Sequence, residues 1–219
     1  MRAFPARIAV TAASLTLAAC SPWTVRPIED SNQATAASMA SQSPVVYAES
    51  IWTAKLIPGV SNAAVDARAL LDALAASPEN ALERYGRREG SGQAYFAVKG
   101  KGRVIRLETA SRNGIALVDV APFDGRADLS IQIGPVMRGT SLRDCCGIVR
   151  FTDFINQLQF ADVAMAFNDV ALRSVIAPLD KASLKGRPVS FVGALAAEMR
   201  ADPPLRDLAP IQLSLEGDR

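Results

Sequence analysis

Residues 95–108 read Y-F-A-V-K-G-K-G-R-V-I-R-L-E, and this stretch decides the fold. Its length and its apolar and β-branched residues suit one long strand rather than a helix. Gly100 and Gly102 interrupt the run, and glycines inside a strand indicate a bulge or a sharp bend. Because a small β-barrel needs such a bend where one strand serves both of its sheets, this stretch predicts the first strand of a small barrel.

The sequence after this strand predicts four further strands and a helical insertion. The turn signal Arg112-Asn113-Gly114 ends the first strand. The further predicted strands cover residues 115–120, 128–133, 188–195 and 211–215. Between the second and third of these, Thr152 is expected to cap helical segments that run to about Ile176, with an apolar stripe at Phe160, Val163, Ala164 and Phe167.

Three strands, a helix and two strands follow one another in the order of the OB-fold, a five-stranded, partly open barrel. We therefore predict an α+β fold in which N-terminal helices precede a five-stranded OB-like β-barrel, with a helical insertion between strands 3 and 4. An α+β sandwich built from the same elements is the alternative architecture.

The sequence before the long strand predicts three helices. Ser43 and Pro44 start the first, whose apolar face carries Tyr47, Ile51, Ala54 and Leu56 and which Pro58-Gly59 is expected to end. The second shows helical spacing at Ala67, Leu70, Leu71 and Leu74, and the third runs from Pro78 to Gly86. Residues 44–219 therefore predict one globular domain, with a helical part at 44–90 and the OB-like part at 91–219.

The N-terminus predicts an address outside the cytoplasm. Arg2 and Arg7 precede an uncharged run that ends in Leu17-Ala18-Ala19-Cys20, the layout of a signal peptide followed by the lipobox of bacterial lipoproteins. Residues 1–19 are then the signal peptide, Cys20 is lipidated, and the Ser- and Ala-rich residues 20–43 are a flexible tether. The alternatives are an ordinary signal peptide with a chance cysteine and a buried apolar segment. In an organism with two membranes, Ser21 would favour the outer one.

Composition excludes several classes of function. The chain of 219 residues is 49% apolar and 21% charged, which fits a globular domain, and it contains no histidine. Histidine-based nucleophile pairs, metal sites and proton shuttles are therefore absent. Beyond the signal peptide, 22 basic side chains face 22 acidic ones, so there is no broad basic field for nucleic acid.

An enzyme would have to rely on carboxylates, for which the candidates are Asp124, Asp128, Asp144 and Asp153. Nothing in their spacing identifies a general acid and base pair. No phosphate-binding loop occurs either. We expect no enzymatic activity, no cofactor, no metal and no nucleic-acid partner.

Several stretches together form a recognisable pattern: 50–52, 85–90, 96–100, 132–140, 142–144, 151–157, 160–161 and 184–191, among them Gln132-Ile133-Gly134-Pro135-Val136-Met137-Arg138-Gly139-Thr140. In these stretches the chain resembles the uncharacterised periplasmic lipoprotein family known as domain of unknown function 2291. The resemblance covers about residue 45 to the C-terminus, and the lipobox agrees with it. It implies a role associated with carbohydrate ABC transporters of the ribose type, and it brings no catalytic residues with it. The sequence departs from the family pattern at Cys145-Cys146.

Three groups of polar residues are candidates for ligand binding. They are Arg87 and Arg88 after the third helix, Arg138, Thr140, Arg143 and Asp144 in a polar loop at 134–144, and Asn156 and Gln157 at the start of the helical insertion. Guanidinium groups suit carboxylate, phosphate or sugar hydroxyls, and loops on a rigid scaffold often carry function. Each group also has a structural interpretation: the arginines complement a helix end, Arg143 and Asp144 neutralise each other, and the amides bond to nearby backbone.

Cys145 and Cys146 are a candidate redox pair. Adjacent cysteines can form a strained vicinal disulfide, and strained disulfides are readily reduced. The competing interpretation is a pair of buried, unreactive thiols. Neither the C-x-x-C spacing of redox proteins nor a zinc ligand set is present.

We predict a non-enzymatic, lipid-anchored envelope protein on the periplasmic side of the membrane. It would be an accessory or ligand-binding module linked to carbohydrate ABC transport. Its expected partners are the membrane, through Cys20, and either sugar ABC transporter components or a small polar ligand. The alternative is an envelope structural or interaction lipoprotein with no small-molecule ligand.

Overall fold

A computed structural model describes residues 43–88, 93–198 and 206–217. The predicted signal peptide, Cys20 and all but the last residue of the tether lie outside these residues. The helices are α1 (Pro44–Ile51), α2 (Ile57–Ala63), α3 (Ala67–Ala76), α4 (Pro78–Tyr85), α5 (Ser141–Asp144) and α6 (Gln157–Ala171). Two π-helical turns, Trp52–Leu56 and Leu172–Ile176, follow α1 and α6, and 3₁₀ turns form at Phe151–Asp153 and Lys181–Leu184.

The strands include all five of the predicted ones. They are β1 (Val65–Asp66), β2 (Gly86–Arg88), β3 (Ala94–Glu108), β4 (Ile115–Val120), β5 (Leu129–Gln132), β6 (Pro188–Ala197) and β7 (Arg206–Leu215). β3 is the long strand expected at 95–108. The α+β class is therefore confirmed, and the short strands β1 and β2, which the sequence analysis missed, both attach to β3.

The pairings of the five long strands form a cycle. β3 pairs antiparallel with β4, β4 antiparallel with β5, β5 parallel with β7, and β7 antiparallel with β6. β6 then pairs antiparallel with β3, along Ala94 to Arg103. The long strand can take part in two pairings because its first part lies beside β6 and its last part lies beside β4.

The two glycines of β3 lie where the strand changes partners. A Cβ on Gly102 would lie 2.4 Å from Val118 Cγ1 and 2.7 Å from the Asp119 carbonyl oxygen, and one on Gly100 would lie 2.8 Å from Ala67 Cβ. These glycines are needed for close approach. The irregularity in the pairing of β3 with β4 lies between Val104 and Arg106. It is therefore a few residues after the glycines at which the sequence predicts a bulge or a sharp bend.

The sheet separates two apolar clusters. Along β3, Phe96 and Val98 belong to one cluster and Ala97, between them, belongs to the other, as strand alternation requires. The first cluster also contains the apolar faces of α3 and α4. The second contains α1, α2 and α6, which pack against the small side chains Ala97, Ala194 and Ala209. These alanines allow the helices to approach the sheet closely.

Two predicted helix boundaries were wrong. The first helix does not end at Pro58, because the π-helical turn before it has already interrupted the regular hydrogen bonding: the Ile57 N–H donates to Trp52 O. Pro58, which has no N–H, is therefore tolerated near the start of α2. Thr152 does not cap the long helix either. It lies inside a 3₁₀ turn, and Asn156 caps α6.

Candidate functional site

The polar loop (residues 134–144) is held closed by Gln132, the last residue of β5. The Gln132 amide donates to the Arg138 carbonyl oxygen at 3.2 Å and accepts from the Arg138 N–H at 2.8 Å. The loop is also tied to the turn after β3, because the Val136 N–H donates to Arg112 O at 3.0 Å. A fixed backbone of this kind positions the side chains that follow.

Arg138 projects from the closed loop and pairs with Asp207. The Arg138 Nη2 to Asp207 Oδ2 distance is 2.9 Å, and Ser130 Oγ donates to the other carboxylate oxygen. Arg138 keeps 54% of its side chain exposed. It also lines an open cleft of about 660 Å³ whose rim includes Glu108 and Asn113. This cleft is a place where a small polar ligand could meet both signs of charge.

Thr140 and Gly139 fasten the polar loop to the rest of the domain. Thr140 Oγ1 lies 3.0 Å from the hydroxyl of Tyr95, at the start of β3. Asn168, buried in α6, donates to Gly139 O at 3.0 Å. Thr140 therefore has a protein partner, and its hydroxyl is committed to connecting the loop with the sheet.

Arg143 and Asp144 form a buried ion pair with each other. Arg143 Nε lies 2.6 Å from Asp144 Oδ1 and Nη2 lies 2.9 Å from Oδ2, while the two side chains are only 10% and 4% exposed. The remaining Nη1 donates to Phe160 O at 2.9 Å, and the guanidinium lies 3.7 Å from the Phe160 ring centroid. All of these contacts are within the protein, so the pair connects the polar loop to α6.

Cys145 and Cys146 follow directly as free thiols with their sulfur atoms 3.1 Å apart. Cys145 is buried and Cys146 is half-buried. The hydrogen bond from Cys145 lowers the pKa of Cys146 and the positive charge of Arg87 lowers it further, although partial burial acts against both. The same hydrogen bond raises the pKa of Cys145 well above its usual value, and burial adds to this.

Of the two arginines at the end of β2, Arg87 lies close to the segment that follows Cys145 and Cys146. Its guanidinium lies against Gly147, where an added Cβ would be 2.7 Å from Cζ. Arg88, its neighbour, faces Glu79 instead, at 3.9 Å. Asn156 accepts from the Gln159 N–H at 2.8 Å as the cap of α6, and Gln157 is exposed on its first turn. The candidates therefore do not converge on one pocket.

Six exposed apolar side chains that the sequence pattern did not indicate lie on α1, on α6 and on the segment that leads into α6. We call this set the apolar front; it consists of Val45 and Val46 on α1, Phe151 and Ile155 before α6, and Leu158 and Met165 on α6. Ile155 and Leu158 are 70% and 71% exposed. Helical spacing identifies the apolar residues that face the core. Apolar residues on the solvent-facing side do not follow this spacing, so the pattern does not indicate them.

The described residues offer neither a metal site nor a membrane-spanning helix. No group of three or more His, Cys, Asp or Glu residues within 43–88, 93–198 and 206–217 could hold a metal ion. In the same ranges, every helix is too short or too polar to cross a bilayer.

Comparisons with known proteins identify the fold and the family. No curated protein matches the sequence. Among solved structures, an OB-fold protein from Thermotoga maritima superposes with a TM-score of 0.65 at 22% identity, over 80% of this chain and 99% of that one. This likeness shows the fold alone. A family described as predicted periplasmic lipoprotein (DUF2291) matches residues 10–214, including the stretches that carry the resemblance. The chain belongs to this DUF2291 family of predicted periplasmic lipoproteins.

Proposed function

We propose that this lipoprotein is a non-enzymatic accessory protein of carbohydrate ABC transport, which binds a transporter component through its apolar front. The observation that carries the proposal is the exposure of six large apolar side chains on α1, α6 and the segment leading into α6, the helices that pack on the second apolar cluster. Soluble domains rarely expose contiguous apolar surface without a binding role, because its hydration is unfavourable. The link to carbohydrate transport rests on the family resemblance.

Aromatic packing holds the segment that carries Phe151 of the apolar front in place, which favours a preformed binding surface over an unpacked segment. Phe151 packs edge-on against Phe160 at 5.6 Å, and Phe154 packs against Tyr47 at 5.3 Å. Phe154 also contacts Phe160, so the rings connect the segment before α6 to both α1 and α6. Side chains fixed in this way lose little conformational entropy when a partner covers them.

The position of the apolar front supports a partner at the membrane. Val45 and Val46 lie in the first turn of α1, directly after the segment that the sequence predicts to be tethered through Cys20. The part of the domain joined to the tether is therefore also the part with exposed apolar surface.

A second candidate function is the binding of a small polar ligand in the cleft beside Arg138. The specific observation in its favour is the half-exposed guanidinium on a cleft of about 660 Å³ that also presents Glu108 and Asn113. A thermal-shift screen against pentoses and hexoses tests it. A ligand at 100 times its Kd adds about 2.7 kcal/mol to the free energy of unfolding.

Site-directed crosslinking in the native envelope tests the proposed function. A photo-crosslinking residue at Leu158 should capture a sugar ABC transporter subunit, and Phe151→Ser should weaken that capture several-fold. Phe123→Ser is the matched control, because Phe123 is similarly exposed, at 57% against 51% for Phe151, but lies between β4 and β5. The proposal is wrong if position 158 captures no transporter subunit, or if both serine variants lose capture equally.

A further inference from the structure

The thiol pair that follows the polar loop is not used by the proposed function, and its surroundings are asymmetric. Cys145 is 5% exposed and packs in the same apolar cluster as Met137, Leu142 and Val149. Cys146 is half-buried and lies at the edge of that cluster. One sulfur is thus sheltered and the other is accessible, at a separation of 3.1 Å.

The guanidinium of Arg87 packs against the backbone directly after the pair. Gly147 has φ +63, a conformation that side chains rarely adopt, and the Arg87 guanidinium occupies the space that its Cβ would take. A guanidinium there stabilises a thiolate on the adjacent Cys146. The negative charge of Asp144, by contrast, lies on the side of Cys145 and disfavours a thiolate there.

We propose that Cys145 and Cys146 form a redox-active dithiol that reacts with small-molecule disulfides, with Cys146 as the attacking thiol, Cys145 as the resolving thiol and Arg87 as a positioning residue. The inference goes beyond the proposed function and does not depend on it. Its protein groups are all residues of this chain and its oxidant is the small disulfide, and it gives a role to a buried and an accessible thiol that stand side by side.

The reaction is a pair of thiol–disulfide exchanges. The Cys146 thiolate attacks one sulfur of a small disulfide RSSR; the RS–SR bond breaks, a Cys146–SR bond forms, and the leaving thiolate takes up the proton that Cys146 released. The Cys145 sulfur then gives up its proton and attacks the Cys146 sulfur; the Cys145–Cys146 bond forms, the Cys146–SR bond breaks, and the departing thiolate takes up the proton as the second RSH. Overall, the dithiol loses two hydrogens to become a vicinal disulfide, and one RSSR is reduced to two RSH.

The oxidised form should be easily reversed. Adjacent Cα atoms across a trans peptide are about 3.8 Å apart, whereas disulfide-bonded residues usually have theirs roughly 4.4–6.8 Å apart. A disulfide between neighbours is therefore strained, and strain makes it more reducible than a structural disulfide. The pair is suited to switching rather than to stabilising the fold.

Oxidised glutathione provides the test on the full-length lipoprotein in detergent, read by mass spectrometry of tryptic peptide 144–150, which contains both cysteines. The wild type should lose two hydrogens from this peptide without retaining glutathione, and a dithiol reductant should restore it. Cys145→Ser should trap glutathione on Cys146, and Cys146→Ser should leave Cys145 unmodified. Iodoacetamide should alkylate Cys146 first in the unmutated protein, a measurement that needs no variant to fold.

Arg87→Met tests the positioning role. It should slow alkylation of Cys146 at neutral pH by about three- to tenfold and move the pH midpoint of alkylation upward, because the thiolate loses its positive neighbour. Arg88→Met is the matched control from the same strand and should change neither. The proposal is overturned if the wild-type peptide keeps both thiols under oxidant, if Cys145 reacts as fast as Cys146, or if the two arginine variants behave alike.

Discussion

Arg138 and Arg143 belong to the same polar loop, yet their surroundings give them different roles. Arg138 is half-exposed and forms an ion pair with Asp207 at the protein surface. Arg143 is buried and bonds to both oxygens of Asp144 and to Phe160 O. The sequence presents them as equivalent ligand candidates, because the type of residue does not reveal how far each side chain is from solvent.

Substitution of these two arginines should separate their roles. We expect Arg143→Met to lower the free energy of unfolding by about 3–5 kcal/mol, since it leaves the Asp144 carboxylate buried without a partner. Arg138→Met should cost less than about 1 kcal/mol, as exposed ion pairs do. Urea denaturation followed by circular dichroism measures both. Equal losses in the free energy of unfolding would show that burial does not determine how much each arginine contributes. A double variant Arg143→Met/Asp144→Leu, which removes both charges, should recover part of the stability.

At the scale of elements, the start of α6 depends on Asn156, one of the two amides that the sequence offered as ligand contacts, and on the side chain of Gln159. Asn156 accepts from the Gln159 N–H at 2.8 Å, and the Gln159 side chain accepts in return from the Ile155 N–H at 3.2 Å. Together these two side chains accept hydrogen bonds from backbone N–H groups at the start of α6 that have no carbonyl partner within the helix. Gln157, one residue on, is exposed in the first turn.

Alanine substitution distinguishes capping from ligand binding. Asn156→Ala should reduce the free energy of unfolding by about 1 kcal/mol through loss of the cap. Gln157→Ala should change it by less than about 0.5 kcal/mol, as at other surface positions. Thermal and chemical denaturation give both values. If neither variant alters stability while both abolish a sugar-induced thermal shift, the amides are ligand contacts and the capping account fails.

The elements that sequence predicts here are those specified by local patterns. The strands at 95–108 and 115–120 and the helix with Leu70, Leu71 and Leu74 were located because alternation or helical spacing marks a buried face. The continuation of the helix past Pro58 was not predictable, because it depends on a π-helical turn that the sequence does not mark. The two-residue strand β1 is equally hidden, since it exists only through pairing with Val98 and Lys99.

The candidate site was predicted less well than the fold, for a physical reason. The polar loop was located, but the partners that occupy its side chains, Tyr95, Asn168 and Asp207, lie on β3, α6 and β7. Such contacts depend on the register of distant elements, which no local pattern contains. Exposure of the apolar front depends on the same long-range packing.

At the scale of the whole molecule, the sheet divides the domain into two regions. Its first cluster, with α3 and α4, fills one side; on the other, α1, α2 and α6 cover the small side chains of the sheet and carry the apolar front outward. The predicted lipid attachment enters through α1, so anchoring and the exposed apolar surface share one side. A partner in the membrane would then meet the helical layer rather than the cleft beside Arg138.

The anchor itself is the last prediction, and it decides where the rest of the molecule works. Cys20→Ser should release the protein from washed membranes into the soluble periplasmic fraction, because a lipoprotein cysteine carries at least two acyl chains and each buried methylene contributes about 0.8 kcal/mol to membrane binding. Cys146→Ser is the matched control and should remain with the membranes. A Cys20→Ser protein that stays fully membrane-bound would mean that attachment comes from the apolar front or a partner. Release combined with lost crosslinking at position 158 would mean that the anchor is needed to bring the apolar front to its partner.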